Sequence, residues 1–279
     1  MTALLHAEGL EAEGPRGRIF GPLDLELHPG QLCFVHGEQG SGKSSLLLAL
    51  AGRLRAARGS LTIDGVDAMA EPRKAMARTA VARLGDYVVP EDRLTLRESL
   101  FERCFLDGIR VRDGVERAAQ FEELMGFRLD RAVEMAQLTP LERTVASVTL
   151  VMLRPTKVVV LDDADLLVPH EQQPLMFELL SRALTLDGAT LVAATLDAGT
   201  APAGAVEITL PSQRRSAATP VDEGLAIIET SEAPPFEFDR DVLFDSIRNA
   251  APVVDETATE RDDRPGDTGE QTTEKEDEA

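Results

Sequence analysis

The chain has 279 residues, 43% hydrophobic and 28% charged, enough for one sizeable buried core and for one or two domains. Its formal net charge is −20, but residues 222–279 carry −14 of it through 19 acidic and 5 basic side chains. The remaining −6 or so on residues 1–221 gives no electrostatic reason to expect nucleic acid or anionic lipid as a partner.

No run approaches the roughly 18 apolar residues that span a bilayer, and the N-terminal residues are not a basic stretch followed by an apolar one. No direct membrane insertion is therefore expected, and any membrane contact must pass through a partner. Cys33 and Cys104 are the only cysteines. Cys33 lies in the apolar run 31–35 and reads as a buried, reduced thiol, which fits the cytoplasm.

In chain order, residues 4–7, 23–27 and 31–36 read as short strands, with Pro29-Gly30 as the turn before the third. The third strand runs into glycines. From Ser44 the run of Ser, Leu and Ala has high helix propensity, with its end expected near Ala57, between Gly52 and Gly59. Residues 61–63 resume as a strand, Asp64-Gly65 is a turn, and residues 71–84 read as helical or irregular. Apolar positions spaced through 95–135 predict amphipathic helices, and a helix over 141–153 is ended by Arg154-Pro155. The apolar run 158–161 suits a central parallel strand, 171–186 a helix, and 190–195 a second apolar strand. Strands alternating with helices imply an α/β sheet with crossover connections. After Pro211, prolines scattered among acidic, Ser and Thr residues predict a largely disordered tail over 212–279. Within it Phe236, Phe238, Leu243, Phe244 and Ile247 suit a short helix or docking peptide.

Gly37-Glu38-Gln39-Gly40-Ser41-Gly42-Lys43-Ser44 fits the phosphate-binding pattern of Gly, four residues, then Gly-Lys-Ser, and the binding set continues to Ser45. Glycines let backbone amides converge on phosphate oxygens where a β-carbon would block the turn. Lys43 supplies a point charge to the β and γ phosphates of ATP. Ser44 opens a helix, so its hydroxyl can ligate Mg²⁺ while the positive helix end faces the phosphates. Such a loop needs a carboxylate at the end of a neighbouring strand. Asp162, after four aliphatic residues, is the candidate on the magnesium side, and Asp163 is the candidate catalytic base that orients the attacking water. His6, His28, His36 and His170 have no ligand-like spacing.

The order of these parts resembles the ATP-binding cassette family over about residues 3–211. Leu-Ala-Gly at 50–52, the segment 59–65, the segment 94–100 that opens the family's helical subdomain, and residues 138–143 at the place of its signature motif all follow in sequence. Residues 201–210 resemble its closing strand. The resemblance implies a phosphate-loop ATPase fold: a mixed sheet core flanked by helices, antiparallel strands near the N-terminus, and a helical subdomain at about 88–140 within a cassette of residues 1–211.

Several positions depart from the family. In place of Leu-Ser-Gly-Gly-Gln, Thr139 keeps a hydroxyl that can be donated, but Pro140 and Leu141 replace both glycines. The family's catalytic glutamate becomes Asp163, one methylene shorter, and a misplacement near 1 Å costs about 100-fold in rate. The switch histidine becomes Leu196, and no glutamine stands at 88–91, where the family places a magnesium ligand. Phe20 is the candidate for stacking on adenine.

The resemblance implies an ATP-binding, slowly hydrolysing subunit that closes head to tail with a second cassette, as a homo- or heterodimer. It would move an integral membrane transporter subunit and sit at the inner face of the membrane through it. The alternative is an ATP-gated regulatory or assembly protein that transports nothing. A DNA-repair type ATPase is disfavoured, because the sequence has no long coiled-coil insertion and no basic surface signature.

Overall fold

A computed structural model describes residues 2–15, 17–85, 87–196 and 201–211. The acidic segment 212–279, with its aromatic stretch at 236–247, lies outside them.

Among the described residues, nine strands form two sheets. An antiparallel sheet has the order β2 (Gly17–Leu27), β1 (Leu5–Gly14), β4 (Ala57–Ile63), β5 (Val66–Asp67). A parallel sheet has the order β6 (Thr79–Arg83), β7 (Val158–Leu161), β8 (Thr190–Thr195), β3 (Leu32–His36), β9 (Val206–Thr209). β3, β7 and β8 are buried along their whole length, which is why they read as continuous apolar runs rather than alternating ones.

Two hydrophobic clusters pack on the two faces of the parallel sheet. Leu32, Phe34, Val159, Leu161, Leu191 and Ala193 point to one cluster, shared with α4 (Val111–Met125), α5 (Pro140–Val151) and α6 (Gln173–Leu184). Cys33, Val35, Val158, Val160, Val192 and Ala194 point to the other, shared with α1 (Lys43–Leu50) and the antiparallel sheet. Phe34 meets Phe177 of α6 edge-on, with ring centroids 4.7 Å apart.

Helices α3 (Leu96–Leu106) and α4 lie between β6 and α5 in chain order. Both α3 and α5 start at a threonine whose side chain accepts from the N3 amide while a glutamate reaches back: Thr95 with Glu98, Thr139 with Glu142.

Four local readings change. Helix α1 stops at Leu50, not near Ala57. Gly52 takes φ 71°, and the amides of Gly52 and Arg53 bond to the carbonyls of Ala49 and Leu48, the paired pattern of a glycine helix stop. β1 and β2 are longer than the short strands expected, because register shifts between Ala7 and Leu10 and again near Ala12 break the period of two. Residues 71–84 contain the short helix α2 (Pro72–Met76) and the strand β6. Phe20 is 2% exposed inside the second cluster, so it is a core residue and not a platform for adenine.

Candidate functional site

Strand β3 delivers the loop that begins at Gly37, and β7 delivers Asp162, both at the carboxyl ends of the parallel strands. That edge is where open α/β sheets bind ligands. β8 lies between the two, so the loop and the aspartate approach each other across one intervening strand.

The loop needs its glycines for reasons the packing shows. Gly37, at φ 156° near extended geometry, has no room for a β-carbon, which would fall 2.5 Å from Ser41 Oγ and 3.0 Å from the Leu210 carbonyl. Gly42 takes φ 97° and presses on the Ile19 carbonyl, so a β-carbon there would collide with backbone. Gly40, at φ 80°, faces open space within 4 Å. Glu38, Gln39 and Gly40 are exposed at the rim, while Ser41 and Lys43 are buried beneath it. Lys43 Nζ donates to the Gly37 carbonyl at 2.6 Å and the Glu38 carbonyl at 3.1 Å, folding over the loop.

Two features fit a phosphate group and its metal. Ser41 Oγ is buried with no hydrogen-bond partner, an orphan donor within the loop. Ser44 Oγ donates to Asp162 Oδ2 at 2.5 Å, joining two residues 118 positions apart. A hydroxyl and a carboxylate at the start of a helix are the oxygen donors that Mg²⁺ takes beside nucleotide phosphates. Ser45 follows on the first turn of α1, half-buried.

Asp162 is 2% exposed and accepts the Asp163 amide at Oδ1, 3.1 Å. Asp163 takes φ 47°, a left-handed conformation that costs a non-glycine residue roughly 1 kcal/mol. Burial raises the Asp163 carboxyl above the ordinary carboxylate range, and the neighbouring Asp162 charge adds to the rise. Arg83 and Lys43 pull it back, and Asp165 pushes it up again.

Three partners escaped the sequence reading. Arg83, at the end of β6, donates to the Asp162 carbonyl from Nε at 3.1 Å and to the Asp163 carbonyl from Nη2. Asp165 accepts the Leu196 amide at 3.2 Å. His36 Nδ1 pairs with Thr195 Oγ1 at 2.8 Å, tying the end of β3 to the end of β8. No spacing rule reaches such contacts, because each joins residues far apart in the chain.

The altered positions also resolve. The Thr139 hydroxyl, expected to be available for donation, donates to Glu142 Oε2 at 2.8 Å within its own cap. Leu141 is buried. Leu196 stands 61% exposed beyond β8.

The profile of the ABC transporter family matches residues 20–165. The hemin import ATP-binding protein HmuV of Myxococcus xanthus (strain DK1622) is 41% identical over 78 residues, covering 28% of this chain and 29% of that protein. The cytochrome c biogenesis ATP-binding export protein CcmA of Xanthomonas campestris pv. campestris (strain 8004) is 31% identical over 189 residues, covering 68% of this chain and 85% of that protein. Among solved structures, an ATP-binding cassette in a dimeric post-hydrolysis state with ADP and Pi superposes with a TM-score of 0.59. It shares 17% identity and covers 75% of this chain and 97% of that one, a likeness of fold. With more than half of its length inside the family profile and the phosphate loop and paired aspartates on one sheet edge, the chain belongs to the ABC transporter family.

Proposed function

We propose that the chain binds Mg·ATP at Gly37–Ser45 and serves as the ATP-binding subunit of an ABC-type membrane transporter. The observation that carries the reading is the Ser44–Asp162 contact, which sets a hydroxyl and a carboxylate side by side at the mouth of the loop. In this reading the amides of residues 38–44 and Lys43 hold the phosphates, and Ser44 and Asp162 hold the metal. Bound Mg²⁺ neutralises charge on the phosphate oxygens. Asp163 orients the attacking water and accepts its proton, a role that a carboxyl raised above its ordinary range suits.

Closure on a second cassette and on a separate membrane subunit would convert nucleotide occupancy into motion, through the differential affinity of ATP for the closed state. HmuV is named for import and CcmA for export, so the comparisons do not choose a cargo or a direction.

A specific observation favours slow turnover. The Thr139 hydroxyl is engaged by Glu142, and the aliphatic Leu196 side chain can make no hydrogen bond at the position of the switch histidine. ATP hydrolysis by the purified chain tests the catalytic part. Asp163→Ala is expected to lower turnover at least 100-fold with nucleotide affinity retained. Unchanged turnover would remove Asp163 from the role of base.

A further inference from the structure

The guanidinium of Arg83 is used in an unusual way. Arg83 lies at the end of β6 opposite Leu161, just where the β6–β7 register shifts, and it is only 9% exposed. Its carbonyl accepts the Asp162 amide at 3.0 Å. Its side chain turns back to donate to the Asp162 carbonyl and to the Asp163 carbonyl. One residue thus grips the backbone of both aspartates at three points.

Among the described residues, no ion pair joins Arg83 to either carboxylate, although both lie within its electrostatic reach. A bidentate pair with Asp162 or Asp163 would occupy the oxygens that the metal and the water require. Bonding to the carbonyls instead leaves Asp162 Oδ2 with Ser44 and fixes the direction from which each side chain leaves the chain. Burial pushes the Arg83 guanidinium below its ordinary range, and the Asp163 and Asp162 charges oppose that shift.

The left-handed backbone of Asp163 needs such a hold. Because aspartate is one methylene shorter than the glutamate of the family, the backbone, and not side-chain reach, sets where its carboxylate lies.

We propose that Arg83 is a positioning residue for ATP turnover, acting on the metal-side and water-side carboxylates through the backbone carbonyls of Asp162 and Asp163. The inference rests on the proposed roles of those two aspartates.

Arg83→Met and Arg83→Lys in the full chain test it, with three readouts: thermal unfolding, affinity for a fluorescent ATP analogue with and without Mg²⁺, and steady-state hydrolysis. Folded Arg83→Met is expected to bind the analogue without Mg²⁺ within about 3-fold of wild type, since the phosphate loop is untouched. Its tightening by Mg²⁺ should fall about 10-fold, and its kcat about 100-fold with KM nearly unchanged. Arg83→Lys, which keeps the charge and one donor, should recover part of both losses. Wild-type kcat and a wild-type Mg²⁺ effect in folded Arg83→Met would overturn the proposal. So would an equal fall in affinity with and without Mg²⁺, which is the signature of general loosening. If Arg83→Met does not fold, Arg83→Lys decides: reduced kcat at wild-type KM supports the role, and wild-type kcat overturns it. A wild-type chain that shows neither a Mg²⁺ effect nor hydrolysis would instead refute the proposed function, and the Arg83 role with it.

Discussion

Cys33 shows how the parallel sheet controls a single side chain. It is fully buried on the face shared with α1, and burial pushes its thiol up to about 12 from an ordinary value of 9.0. The folded state therefore keeps a proton that the unfolded state releases between those values. Stability from this site is complete below pH 9 and falls as pH rises toward 12. By pH 10 the loss is on the order of 1 kcal/mol. Urea denaturation of wild type and Cys33→Ala between pH 8 and 10 should show a steeper decline for wild type by about that amount; parallel declines would mean the thiol is not held in the core. At this scale the sequence is most legible where a motif fixes residue type. The proposed site residues Gly37, Gly42, Lys43, Ser44 and Asp162 stand out because few other residue types would satisfy a phosphate and its metal. Phe20 was misread because an aromatic near a nucleotide loop looks the same in sequence whether it faces the ligand or the core. Arg83 was invisible because its contacts span 79 and 80 positions.

Elements were legible where local and tertiary preferences agree. α5 was expected over 141–153 and runs from Pro140, with Thr139 as its cap and Glu142 at N3, a start that the sequence itself carries. Thr139→Ala should cost roughly 1 kcal/mol, lowering the melting temperature by about 2–4 °C for a cassette of this size. An unchanged melting temperature would mean that water replaces the cap at no cost. The same cap engages the Thr139 hydroxyl, which donates to Glu142 Oε2. β6 was not legible: Thr-Ala-Val-Ala-Arg is short and alanine-rich, and its strand character comes from pairing with β7 at the sheet edge. The β1–β2 hairpin was only half legible because its bulges reset the alternation that marks a strand.

For the whole molecule, the alternation of apolar strands and helices, read with the glycine loop, was enough to indicate an α/β cassette. The division into two sheets sharing one core face required the three-dimensional pairing. The parallel sheet fixes β3 and β7 by burying both faces, and this rigidity lets Ser44 on the first turn of α1 and the buried Asp162 after β7 meet at hydrogen-bond distance across 118 positions of sequence. The body up to Leu210 contains the complete candidate site and both core clusters, while most of the negative charge lies beyond it in residues 222–279. In the proposed function, nucleotide binding rests on this body alone, and coupling to a membrane subunit is the part that the fold does not itself determine.

The central claim is that the loop at Gly37–Ser45 holds Mg·ATP. Titration of the purified full chain with a fluorescent ATP analogue, in Mg²⁺ and in EDTA, for wild type and Lys43→Ala, tests it most directly. The account predicts saturable binding by wild type that Mg²⁺ tightens, and a loss of at least 100-fold in affinity for Lys43→Ala, whose charge pairs with the β and γ phosphates. Equal affinity for the two proteins would contradict it.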